Sequence, residues 1–147
     1  MGTPADLRLH SDAPLRLFTV TEADALVPQL EHVFRRLDPK LARLRELREL
    51  IEDAESYFGE GLLGAPPKDR DAYVVSLQEQ SDLERSVQAD VDEVHAHGCE
   101  LKDVHRGLVD FPHLRKGREV FLCWELDEDD IEFWHDLESG YAGRERL

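Results

Sequence analysis

The residues best able to do chemistry lie in the last third of the chain. Cys123, His135, Asp110, His113 and Glu125 supply a soft thiolate, imidazoles and carboxylates, the donor types that hold zinc or another divalent first-row ion with a coordination position left for water. Their spacing is not that of a zinc motif, because neither a CxxC nor an HxxxH pair occurs. They meet only if the late strands pair. The opposing reading makes Cys123 a buried, inert thiol and His135 a hydrogen-bonded ring. Cys123 with His135 also has the composition of a nucleophilic pair, which needs a lowered thiol pKa and an oxyanion donor that a sequence does not display.

A second set is charged. Arg106, Arg115, Arg118 and Arg144 stand near Lys102, Asp103 and Asp110, and planar guanidinium forks match carboxylate or phosphate in bidentate fashion. Trp124, Trp134 and Tyr141 can floor a pocket beside them. In the competing structural reading the arginines pair with Asp103, Asp110, Asp136 and Glu138 to fasten strands and C-terminus, and the aromatic rings are core. No phosphate-gripping glycine loop, GxSxG elbow or HExxH pair occurs.

These residues need elements to position them. A chain of 147 residues with 41% hydrophobic content suits one domain. Acids outnumber bases 33 to 18, a net charge of −15, which opposes nucleic acid and anionic membrane surfaces as partners. No stretch reaches the roughly 18 apolar residues of a membrane span, and no secretory leader is recognisable, so a cytoplasmic protein is expected. Cys99 and Cys123 are expected to be reduced and unbridged.

Residues 1–17 read as a flexible tail and 18–147 as one α+β domain, with a long antiparallel helical hairpin over 18–98 and a small antiparallel β-sheet over 99–147. Thr19 and Glu22 form a capping-box pattern. Leu26, Leu30, Val33, Leu37, Leu41, Leu44, Leu47 and Ile51 then recur at helical spacing. Pro28 and Pro39 should kink or split that helix. The glycine- and proline-rich stretch 59–71 reads as the hairpin loop, and Val74 to Val94 as a second helix ended by Gly98. His95 and His97 are expected at its C-terminus or on its polar face. Basic residues from Arg35 to Arg48 oppose Glu79, Asp82, Glu84, Asp90, Asp92 and Glu93, which favours antiparallel pairing.

Beyond Gly98, Leu108-Val109, Glu119–Trp124 and Ile131–Trp134 read as strands of two hairpins. Alternation places Val120, Leu122 and Trp124 toward the helices, and Phe121, Cys123 and Glu125 on the other face, where a site is expected.

The runs LKD (101–103), RGLVDFP (106–112), Arg115, Gly117-Arg118, Cys123-Trp124, Trp134-His135 and GYAGR (140–144), with FTVTEADALVPQL at 18–30, resemble the bacterial family known as domain of unknown function 2203. The resemblance covers residues 18–144 and implies a similar architecture with no established activity, so no family catalytic residues are carried over. The acidic turn Asp127–Asp130 departs from the glycine-containing turn the family pattern implies.

Two functional readings follow. The first is a non-catalytic binding or assembly module that self-associates through its helices. It holds a small anion or a partner on the sheet through Arg106, Asp110, Arg115, Arg118, Trp124, Trp134, His135 and Arg144. The second is a metal-dependent hydrolase centred on Cys123 and His135, with a divalent metal as its cofactor.

Overall fold

The computed structural model describes residues 7–147, with the backbone only at Leu63. Helix α1 spans Val20–Phe58 and α2 spans Pro67–Ala96, joined by a 3-10 turn over Gly59–Gly64. The strands are β1 (Glu100–Asp103), β2 (Leu108–Arg115), β3 (Arg118–Glu125), β4 (Phe133–His135) and β5 (Glu145–Arg146). They form one antiparallel sheet in the order β1-β2-β3-β4-β5, so the chain is α+β.

α1 begins where the sequence signals it. The Thr19 hydroxyl accepts from Glu22 N at 3.1 Å and Glu22 Oε1 accepts from Thr19 N at 2.9 Å, satisfying two orphan donors. The expected split at the prolines does not occur. α1 is continuous for 39 residues, about 58 Å at 1.5 Å per residue. Pro28 and Pro39 are exposed and eleven residues apart, so both lie on one solvent face, where water can satisfy the carbonyls they leave unbonded. α2 starts earlier than its apolar pattern suggests. Pro67 occupies its first turn, a position that needs no backbone donor.

Charge does pair the helices. Asp90 accepts from Arg36 at 3.0 Å and Lys40 at 2.6 Å, and Glu79 from Arg43 at 2.6 and 2.9 Å. Residues 7–17 lie against the same body, with Leu7 and Leu9 packed on the core and Arg16 N bonded to Gly98 O at 3.1 Å. Gly98 has φ +91°, and a Cβ there would meet the Arg16 side chain at 2.7 Å, so glycine is required twice over.

The hairpin covers one face of the sheet. Val109, Phe111, Val120, Leu122, Trp124 and Trp134 join Leu30, Phe34, Leu37, Leu41, Val87, Val91 and Val94 in one core. His95 belongs inside as well, 2% exposed, and neither ring nitrogen has a hydrogen-bond partner among the described residues. It lies in the last turn of α2 as expected, but on the buried side rather than the polar face.

Candidate functional site

The other face of the sheet is fixed by register. Asp110 of β2 stands opposite Cys123 of β3, and Phe121 opposite His135 of β4. Alternation therefore turns Asp110, Cys123 and His135 to one side. Their donor atoms lie within 4.8 Å of one another, and the residues are 3%, 0% and 2% exposed. The C-terminal segment provides the cover. β5 pairs with β4, and Arg144, just before it, lies over the Phe133 and Tyr141 rings at 4.0 and 4.4 Å. Arg144 Nη1 approaches Cys123 Sγ at 3.8 Å, and its Nη2 donates to Glu128 Oε2 at 2.7 Å.

Hydrogen bonds set the chemistry of this centre. His135 Nδ1 lies 2.7 Å from the Asp136 carbonyl oxygen and Nε2 lies 3.0 Å from Asp110 Oδ1. A carbonyl only accepts, so Nδ1 carries hydrogen and Nε2 faces Asp110 and the thiol. One further proton lies between Nε2 and Oδ1, on whichever partner holds it. Burial pushes the Asp110 carboxyl above its usual range, opposed by His135, by Lys102 and by a hydrogen bond from Cys123. Burial, with the Asp110 charge, pushes the Cys123 thiol up to about 12. A nucleophilic cysteine needs the reverse, so the Cys-His nucleophile gains no support from this geometry.

Of the five residues read as metal donors, three converge. His113 lies on the helix-facing side with Val109 and Phe111, and its Nδ1 is 2.7 Å from Phe18 O. Glu125 is on the correct face but accepts from Arg106 at 2.7 Å and from the Tyr141 hydroxyl at 3.0 Å. The arginines do not form one cradle. Arg115 and Arg118 pair at the β2–β3 turn and stack on Trp134 at 4.7 and 5.9 Å, with Arg118 also on Asp136 at 2.5 Å. Arg106 and Arg144 instead share the Tyr141 ring, at 4.1 and 4.4 Å. Trp124 belongs to the core, its ring nitrogen donating to Glu128 O at 2.9 Å.

Sequence reasoning did not find Glu128, which sits in the acidic turn and anchors Arg144. Asp127 just before it has φ +84°, a left-handed position that glycine takes freely and aspartate tolerates.

The model of an uncharacterized conserved protein family, domain of unknown function 2203, matches residues 16–147. The chain belongs to that family. The match takes in both helices, the whole sheet and all three convergent residues, so the family unit and the fold described above coincide. No curated protein and no solved structure matches the chain significantly. Among the described residues, no helix is long and apolar enough to cross a membrane.

Proposed function

We propose that this family member is a non-catalytic binding module whose ligand site is the Asp110–Cys123–His135 centre beneath the C-terminal segment. The observation that carries the reading is the joint burial of three ionisable side chains at 3%, 0% and 2% exposure. Buried polar groups of this kind are costly unless they are satisfied, and each is satisfied chiefly by the others. A hydrolase at the same centre would need an opening for its substrate, and the Arg144–Glu128 pair closes that side. A thermal-shift panel of divalent metals, phosphate, sulfate and small carboxylates tests the reading. At least one class should raise the melting temperature of the wild type and fail to do so in Cys123→Ala. A panel without any shift would leave the three residues as a purely structural network.

Self-association supplies the assembly half of the proposal. The buried residues of α2 run only from Val87 to His95, so its first half lies beyond the sheet-backed core. Exposed apolar groups gather there, with Leu50 at 52%, Tyr57 at 83%, Val74 at 56% and Val75 at 64%. A second hairpin laid on this end would cover them as in a four-helix bundle. Light scattering at about ten micromolar should report a dimer, and Leu50→Glu with Val75→Glu a monomer. A monomeric wild type would reject it.

A further inference from the structure

We infer that the ligand of this centre is a divalent first-row metal ion of the zinc type, held by Asp110 Oδ, Cys123 Sγ and His135 Nε2. The inference rests on the binding-module reading and names its ligand.

Three observations point the same way. The first is the donor set. A thiolate, an imidazole and a carboxylate make the mixed sulfur, nitrogen and oxygen set that suits zinc and its neighbours, whereas calcium and magnesium demand oxygen alone. The second is geometry. Ligand bonds of about 2.0–2.3 Å to a common ion keep donors within about 4 Å of each other. Here Nε2 and Oδ1 are already 3.0 Å apart, and all three donor atoms lie within 4.8 Å, so side-chain torsions alone need to close the remainder.

The third is the shell behind the ligands. A metal-binding histidine characteristically donates its other ring N–H to a carbonyl or carboxylate, which fixes the tautomer and aims the free nitrogen. His135 does this with Asp136 O at 2.7 Å. The three residues come from three adjacent strands, a rigid support for a first shell. A dication with one carboxylate, one thiolate and a neutral imidazole sums to zero charge, which a buried site requires. Arg144, bridging Cys123 Sγ and Glu128, caps the centre, so its side chain must swing aside for an ion to enter.

Cobalt is the probe, because its absorption reports both geometry and thiolate ligation. Full-length protein without a histidine tag is stripped with chelator and titrated with Co2+, then with Zn2+. One Co2+ per chain is expected, with a thiolate-to-metal charge-transfer band and the intense visible bands of a four-coordinate ion, both abolished by one equivalent of Zn2+. Cys123→Ser should remove the charge-transfer band, and Asp110→Asn and His135→Gln should weaken binding at least about tenfold. Cys99→Ala and the exposed-surface variant His105→Gln should leave the spectrum unchanged. The wild-type spectrum decides the matter even if a buried variant fails to fold. Folded protein that binds neither ion, or that binds cobalt without a thiolate band, overturns the inference. If another ligand of the panel still stabilises the wild type and not Cys123→Ala, the binding module stands and only its metal is lost. If nothing in the panel binds, both fall.

Discussion

His135 Nε2 lies 3.0 Å from Asp110 Oδ1, and the two residues are 2% and 3% exposed. Because the other ring nitrogen donates to the Asp136 carbonyl, Asp110 must keep its partner through the one remaining proton. The contact therefore tolerates a neutral donor better than a gap. Asp110→Asn can offer its amide N–H to Nε2 and should cost about 1 kcal/mol. Asp110→Ala strands the imidazole and should cost about 3 kcal/mol. Urea denaturation of chelator-treated protein checks both, and equal losses would contradict the hydrogen-bond assignment.

Arg144 and Arg118 should behave differently although both form ion pairs. The Arg144–Glu128 side chains are 13% and 18% exposed, those of Arg118–Asp136 61% and 50%. Solvent screens the second pair, so Arg118→Ala should change stability by less than about 1 kcal/mol. Arg144→Ala removes a shielded pair and the lid over Cys123, and should cost about 2 kcal/mol. It should also speed alkylation of Cys123 in the folded protein, read by peptide mass.

Both cysteines are free and buried, and burial raises each thiol from 9.0 to about 12. Native protein should therefore resist a thiol reagent at about pH 8, while denatured protein should react at both sites. A folded pKa above the unfolded one gives stability that is complete below pH 9.0 and is lost as pH rises toward about 12. An alkaline melting series of chelator-treated protein should fall over that window, and Cys99→Ala should flatten part of the fall.

His95 reports the acid side. Burial lowers its pKa from 6.5, with Asp92 and Glu100 opposing, so the unfolded chain takes up the proton first. Its stability contribution is present above pH 6.5 and is lost as pH falls through the lowered value. His95→Leu removes two unpartnered nitrogens and should raise stability by about 1 kcal/mol at neutral pH, with a larger gain in mild acid. A destabilised variant would mean that the ring nitrogens are satisfied after all.

Much of this fold was legible because apolar spacing was unambiguous. The stripe from Leu30 to Ile51 and the alternation through Val120, Leu122 and Trp124 assign a helix and an inward strand face, and the structure buries those residues as expected. Glu100–Asp103 and Glu145–Arg146 escaped because their strands are mostly charged and hold no β-branched residue. Their pairing is imposed by β2 and β4. Local rules also misplaced Pro28 and Pro39, whose cost depends on which side of the helix faces water.

The site was legible as ingredients only. Asp110, Cys123, His135, His113 and Glu125 have suitable chemistry, but register decides which of them meet. Asp110 and His113 are three residues apart on one strand, so they fall on opposite faces. Arg144 reaches Cys123 because the pairing of β4 with β5 holds the segment just before it in place, and β5 is a strand of two residues that no periodicity announces.

Whether Asp110, Cys123 and His135 hold an ion is decided by the metal content of the protein as purified, without a tag and without added chelator. Elemental analysis should find close to one divalent first-row ion per chain, and background levels in Cys123→Ser prepared in parallel. Wild-type protein that is folded, metal-free and still metal-free after zinc incubation and desalting would contradict it.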